Sequence, residues 1–143
     1  MPKGVSFDNL LLKAIFNGNT VPNLLDNAAS APLGNLFVAL HTADPSAGNQ
    51  NTSEVAYTGY ARVPVARNGT GFTVTGNNAV NANATTFPAC SGGNNTAAWF
   101  SIGQNNTGVA GTIYYAGALT ANLNISTGIT PSFAAGNMVA SES

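Results

Sequence analysis

Apolar and polar residues alternate along most of this chain with the period of two that is typical of β-strands. In the first such run, residues 36–41, both sides of the predicted strand are apolar. Clusters of Gly, Asn, Pro and Ser separate the runs at short intervals, as expected where tight turns join strands. The pattern predicts about eight short strands, which lie near residues 36–41, 55–67, 72–74, 80–87, 97–103, 112–116, 119–125 and 138–140.

Strands of this length and spacing favour an all-β sandwich or barrel. We therefore expect a mainly β fold, a compact antiparallel β-barrel or jelly-roll-like sandwich, over residues 35–143. Within it, Pro64 has no N–H to give to a strand ladder, so its strand is expected at a sheet edge or at a bulge. The Asn-rich stretches are expected to be solvated or partner-facing loops, and they are residues 48–53, 92–96 and 104–107.

The first 34 residues follow a different pattern, with apolar residues at the spacing of one helix face. Ser6 is suited to cap the start of a helix and Gly18 to end it. We predict a helix over residues 6–16, within an N-terminal arm of residues 1–34. Two roles are open for this helix: it covers one end of the sheet that follows, or it docks on a neighbouring subunit. Its apolar face consists of Phe7, Leu10, Leu11, Ala14 and Ile15.

Charge is scarce in this sequence and narrows the possible functions. Its 143 residues include four Lys or Arg and five Asp or Glu, so 6% are charged where an ordinary soluble domain has about 25%. Acid–base catalysis, metal binding and phosphate recognition all need ionisable side chains close together. No apolar run reaches the roughly 20 residues of a membrane span. We therefore expect no enzyme, no cofactor, no nucleic acid partner and no membrane partner.

The few residues that could carry chemistry are isolated from one another. No Gly-x-Ser-x-Gly elbow is present to supply an activated serine for His41, and a local hydrogen bond in the turn with Asp44 is the simpler explanation. Cys90 is the single cysteine and lies in a predicted loop with no neighbour that would favour its thiolate. Asp44 and Glu54 flank one loop and are the best candidates for a weak cation site. We expect no catalytic, cofactor-binding or metal-binding residues.

Six segments occur in a characteristic order. They include a strand and turn ending in His-Thr-Ala-Asp-Pro, the segment Glu-Val-Ala-Tyr-Thr-Gly-Tyr-Ala-Arg, and a strand reading Gly-Thr-Ile-Tyr-Tyr-Ala-Gly-Ala-Leu. The six segments are residues 36–45, 54–62, 86–88, 99–103, 111–119 and 128–131. In these segments, and over most of its length, the chain resembles small structural proteins of tailed bacteriophages. The resemblance carries no catalytic residues.

Proteins of this kind are known as tail-fibre-like, minor tail or capsid decoration (cement) proteins, so the resemblance implies a non-enzymatic virion component. The chain has no long fibrous repeats, which favours a cement protein on the outer surface of an icosahedral head, made in the bacterial cytoplasm. Its net charge of −1 agrees, since many copies of a charged subunit would form a repulsive shell. The alternative is a tail or tail-fibre-associated structural or host-binding protein of the same virion.

Two partners are expected on this interpretation. One is the major capsid protein, and the other is a further copy of the chain, as a homodimer in preference to a trimer. The helix is the expected contact, because its apolar face can be buried against a partner. The predicted interface residues are Phe7, Leu10, Leu11 and Ile15.

Overall fold

The computed structural model of the chain describes residues 5–20 and 33–142. In these residues it contains one helix, α1, over Val5–Asn17. The strands are β1 Asn35–His41, β2 Val63–Ala66, β3 Phe72–Thr75, β4 Asn78–Asn81, β5 Thr85–Thr86, β6 Asn94–Gly103, β7 Ile113–Ser126, β8 Ser132–Phe133 and β9 Val139–Ser141.

These elements fall into two compact units. We call them the helix unit, with α1, and the sheet unit, with most of the longest strands. Of the described residues, the helix unit contains 5–20, 33–35, 65–85 and 133–142, and the sheet unit contains 36–64 and 86–132.

In the helix unit, α1 packs against β3 and β4 of the three-stranded sheet β3-β4-β9. Leu12 and Phe16 lie one helical turn apart and are both fully buried. The Phe16 ring lies 4.7 Å from the ring of Phe72 on β3. Burial of a side chain of this size stabilises the packed form by about 1.5–3 kcal/mol, so this stripe holds the helix on the sheet.

The predicted glycine stop of the helix is confirmed. Gly18 has a φ of 68°, the left-handed conformation in which helices commonly end at a glycine, and the N–H of Asn19 donates to the carbonyl of Lys13 at 3.1 Å. The helix begins one residue before the predicted range of 6–16. Val5 is already helical, so Ser6 lies inside the first turn and is not the N-cap.

Arg67, which follows β2, provides a second cap for the same helix end. Its Nε donates to the carbonyl of Ile15 at 2.6 Å, and its Nη2 donates to the carbonyl of Ala14. These carbonyls have no partner inside the helix, and a positive charge at this end has the sign that the helix dipole favours.

The sheet unit is built on the antiparallel ladders of β1 with β6 and of β6 with β7. Strand β1 is buried on both faces, as its sequence predicts, with Val38, Ala39 and Leu40 each at most 1% exposed. The full order of this sheet is β2-β1-β6-β7. The outer position of β2 confirms the edge strand predicted from Pro64.

Strand β7 is one long strand where the sequence predicts two short ones. Ala97 on β6 pairs with Leu123, whereas Trp99, two residues on, pairs with Ala118. Residues 119–122 of β7 therefore face a single residue of β6 and form a bulge. The two predicted strands are the halves of β7 on either side of this bulge.

The predicted fold class, mainly β with antiparallel sheets after an N-terminal helix, is confirmed. The sheets are open in the described part of the chain, so the sandwich-like form of the prediction fits and a closed barrel does not. Residues 92–96 were expected as a loop, but most of them belong to β6, because the start of β6 pairs with the end of β7. These pairs are Asn94 with Ser126, Asn95 with Ile125 and Thr96 with Asn124.

Candidate functional site

Arg62 lies at the centre of a buried polar cluster in the sheet unit and is 2% exposed. Its Nε and Nη2 each donate to one carboxylate oxygen of Glu54, both at 2.7 Å, and Nη2 also donates to Asn51 Oδ1 at 2.6 Å. Its Nη1 donates at 2.8–2.9 Å to the carbonyl oxygens of Asn105, Asn106 and Val109. One side chain thus joins the 48–54 loop to the 104–111 loop, a contact that the sequence does not indicate.

Tyr60 extends this cluster from the same segment as Arg62. Its hydroxyl donates to Glu54 Oε1 at 2.7 Å and accepts from the N–H of Leu40 at 3.2 Å. Burial and the nearby negative charge of Glu54 raise the pKa of Tyr60 well above its ordinary value. The ring is stacked with that of Phe87 at 6.2 Å, so the phenol is part of the packed interior.

Tyr57 is packed in the same way. Its hydroxyl donates to the carbonyl of Pro88 at 2.8 Å, its ring meets that of Tyr60 edge-on at 5.4 Å, and burial raises the pKa of Tyr57 to about 12. The segment 54–62, which contributes to the resemblance described above, therefore holds the sheet unit together. Its tyrosines are not presented to a ligand.

Gln50 gives the same two loops a second internal support. The side chain is fully buried; it donates to the carbonyl of Phe37 at 3.1 Å and accepts from the N–H of Asn105 at 2.9 Å. A Cβ at Gly103 or Gly111 would overlap the amide of Gln50. Only glycine leaves this amide room at those two positions.

The 104–111 loop is consequently exposed but fixed. Residues 106–110 are exposed, and Val109 has 53% of its surface accessible, while the carbonyls behind them bind Arg62. The prediction of a solvated or partner-facing loop fits this exposure. Because its backbone is already ordered, the loop would lose little conformational entropy on meeting a partner.

His41 is enclosed in the sheet unit. Its Nδ1 lies 2.8 Å from the carbonyl oxygen of Thr52, and its Nε2 lies 2.8 Å from Ser101 Oγ. A carbonyl can only accept, so Nδ1 carries the proton and Nε2 accepts from the serine hydroxyl. Burial lowers the pKa of His41. Both side chains are fully buried, so this serine–histidine pair cannot meet a substrate.

The predicted partner of His41 was wrong. The carboxylate of Asp44 is exposed and accepts the N–H of Ser46 at 2.9 Å, which lowers the pKa of Asp44. Ser101 lies 60 positions from His41 in the sequence, and no local signal marks it. The two bonds hold His41 in place within the sheet unit.

The other candidate residues also have internal partners. Cys90 is 2% exposed, and its Sγ lies 3.3 Å from the carbonyl of Gly92. Both oxygens of Glu54 bind Arg62, and the carboxylate of Asp44 binds the N–H of Ser46. Within residues 5–20 and 33–142, no group of three or more His, Cys, Asp or Glu is placed to hold a metal ion.

A shallow polar groove lies at the far end of the β6–β7 ladder and has a volume of about 500 Å³. Three of its side chains already have partners: Thr96 Oγ1 donates to Asn124 Oδ1 at 3.0 Å, and Asn95 Oδ1 accepts from the N–H of Ala56, outside the groove, at 2.8 Å. The groove therefore offers amides and hydroxyls but no charge. It is lined by Asn94, Asn95, Thr96, Asn124, Ile125 and Ser126.

The predicted interface residues lie on α1 beside the buried stripe. The stripe that packs on the sheet contains Leu12 and Phe16, which the one-face pattern did not include. An apolar stripe therefore remains partly open to solvent next to the packed one, and both predicted roles of the helix stay available. Of the four predicted interface residues, Leu10 is 38% exposed. The other three are half-buried: Phe7, Leu11 and Ile15.

Comparison with known proteins adds a family. A protein-family model described as podophage GP4 fiber I protein gp80 matches residues 9–141, which includes most of α1 and every strand. A search of curated proteins finds no match. In the described residues, no helix has the length and hydropathy to span a bilayer.

Proposed function

The chain belongs to the podophage GP4 fiber I protein gp80 family, a family of phage structural proteins, and on this premise we propose that it is a non-enzymatic subunit of a fibre on the podophage virion. The observation that carries the proposal is the family match over residues 9–141. The internal partners of His41, Cys90, Glu54 and Arg62 support it, because these side chains hold the fold together.

The surface chemistry also supports an assembly subunit. Residues 68–141 contain no Lys, Arg, Asp, Glu or His, so more than half of the chain meets its surroundings through amides, hydroxyls and apolar groups. Charged residues are depleted at the centres of protein–protein interfaces, because an unpaired charge is costly to desolvate. A charge-free surface of this extent is suited to repeated contact with other virion proteins.

A capsid cement protein is the second candidate, and a net charge of −1 is the observation that favours it. The absence of long fibrous repeats does not separate cement from fibre, because a fibre can be assembled from compact subunits joined end to end. The family description names a fibre, so the fibre subunit is the proposal that we develop.

Location on the particle separates these candidates. Antibody against the purified protein, detected with gold in electron micrographs, is expected to label complete particles away from the head surface and to leave tailless heads unlabelled. Uniform labelling of tailless heads would establish the cement role and contradict the fibre role. An antibody against the major capsid protein is the control that both preparations are accessible.

A further inference from the structure

The chain contains two Asn-Gly pairs, and the fold treats them differently. They are Asn17-Gly18 and Asn68-Gly69. In such a pair the backbone nitrogen of the glycine can attack the side-chain amide of the asparagine, because glycine has no Cβ to hinder the approach. Asn17 is the last residue of α1, so its backbone is held in the helix. Residues 68–70 are exposed and lie between β2 and β3, so the second pair is open to water.

The side-chain carbonyl of Asn68 accepts hydrogen bonds from two donors of one residue. The N–H of Thr70 donates to Asn68 Oδ1 at 2.8 Å, and Thr70 Oγ1 donates to the same oxygen at 2.7 Å. When a nucleophile attacks the carbonyl carbon, negative charge develops on this oxygen, and two donors at such distances stabilise that charge as an oxyanion hole does. Thr70 therefore activates the amide of Asn68 toward attack.

The nucleophile and the leaving group of this attack are not engaged elsewhere. Within residues 5–20 and 33–142, no hydrogen bond uses the N–H of Gly69 or the Nδ2 of Asn68, and a Cβ on Gly69 would meet no atom within 4 Å. The backbone carbonyl of Asn68 accepts from the N–H groups of Gly71 and Phe72 at 3.1 and 3.0 Å. The turn thus fixes Asn68 and leaves the two reacting nitrogens unbound.

We propose that Asn68-Gly69 is a self-modification site, at which the folded chain converts Asn68 to an acidic residue without an enzyme. Hydroxide removes the proton of the Gly69 N–H, the nitrogen bonds to Cγ of Asn68, and the Cγ–Nδ2 bond breaks to release ammonia, which takes a proton from solvent. Water then opens the cyclic imide to aspartate or isoaspartate, so water is consumed and ammonia is released. The reaction places a carboxylate in residues 68–141, which otherwise have none, and it is independent of the fibre role.

Peptide mapping by mass spectrometry, after incubation of the purified chain at mildly alkaline pH, measures the reaction at both asparagines. We expect the folded chain to deamidate at Asn68 about tenfold faster than at Asn17, because orientation of the reacting groups raises the rate. In urea the two pairs should react at similar rates, since the same dipeptide then has no fold around it. Equal rates in the folded chain overturn the proposal, and so does a difference that persists in urea.

Variants of Thr70 test the contribution of its hydroxyl. Thr70→Val should slow the reaction at Asn68 by about tenfold, less than the roughly 10²–10³ that one such donor is worth in an enzyme, because water reaches this turn. Thr70→Ser keeps the donor and should react like the wild type.

Thr73→Val, at an exposed position of β3, is the matched control and should leave the rate at Asn68 unchanged. Circular dichroism checks that each variant is folded. An unchanged rate in Thr70→Val overturns the proposal, as does a Thr70→Ser chain that reacts as slowly as Thr70→Val. These outcomes are separate from the fibre assignment, which particle labelling decides.

Discussion

Arg62 shows how single buried polar side chains hold this protein together. The guanidinium is a rigid fork of N–H donors, and here these donors meet a carboxylate, an amide oxygen and three carbonyls. The cluster stabilises the fold because the donors of this guanidinium have acceptors, whereas a buried polar group left without a partner destabilises the folded state.

Arg62→Ala should therefore lower the free energy of unfolding by about 3–5 kcal/mol, the usual cost of leaving a buried ion pair with one member. Urea unfolding, monitored by tryptophan fluorescence, measures this change in the free energy of unfolding. The control Ala47→Ser changes an exposed residue of the 42–48 turn and should change stability by less than about 0.5 kcal/mol. A loss below about 1 kcal/mol for Arg62→Ala, the value of one ordinary hydrogen bond, would mean that the cluster does not hold the two loops.

His41 predicts a dependence of stability on pH. Burial lowers the pKa of His41 in the folded chain, so the unfolded chain, with an ordinary pKa of about 6.5, binds a proton first as the pH falls. The contribution of His41 to the free energy of unfolding is therefore fully present well above a pH of about 6.5. It decreases as the pH falls from about 6.5 to the folded-state pKa of His41. His41→Gln should flatten this decrease between about pH 6.5 and 5, as measured by urea unfolding.

Carboxylates such as Asp44 titrate in both proteins, so their contribution cancels in this comparison. Equal slopes for the wild type and His41→Gln over that interval would contradict a buried neutral histidine.

At the scale of elements, the sequence predicts features that depend on a single residue, but it does not predict contacts between residues far apart in the chain. Gly18 ends the helix through its left-handed backbone, and Pro64 marks an edge strand because it has no N–H for a strand ladder, so the sequence alone places them. The partners of Arg62 in the 104–111 loop lie 43–47 positions away, and no spacing rule reaches that far. The bulge in β7 was also missed, because residues 119–122 keep a strand-like pattern.

The helix gives the clearest case of partial success. Its position and glycine stop follow from the sequence, but the stripe that packs on the sheet, with Leu12 and Phe16, differs from the predicted face. Apolar residues cover more than half of the helix circumference, so periodicity alone does not choose which stripe faces the sheet.

Arg67 should be the residue that fastens the end of α1. Arg67→Met removes two charge-assisted hydrogen bonds to helix carbonyls, which are worth about 1.5–3 kcal/mol each. Hydrogen exchange read by mass spectrometry should show faster exchange of the amides of residues 12–19. Lys13→Met, a loss of charge on the helix itself, is the control, and equal exchange in the two variants would contradict the cap.

The partly open stripe of α1 predicts a second element-scale effect. If Leu10 and its neighbours contact another virion protein, Leu10→Ser should leave the free energy of unfolding within about 0.5 kcal/mol, as for exposed positions, and should reduce incorporation into particles. Phage carrying the variant can be compared with phage carrying Thr20→Ser, an exposed change nearby. Normal incorporation of the Leu10→Ser protein would leave the helix with its packing role alone.

At the scale of the molecule, the absence of charge from residues 68–141 is the property that links sequence to function. The scarcity of charge in the sequence predicts a subunit of an assembly, and the family match supports that class of function.

The central claim, that this protein is part of the virion, is tested most directly by the amount of it in purified particles. Quantitative mass spectrometry of density-purified virions should find it in a fixed ratio to the major capsid protein through successive rounds of purification, as a built-in structural subunit requires. A protein abundant in the infected-cell lysate but lost from the particles during purification would contradict that claim.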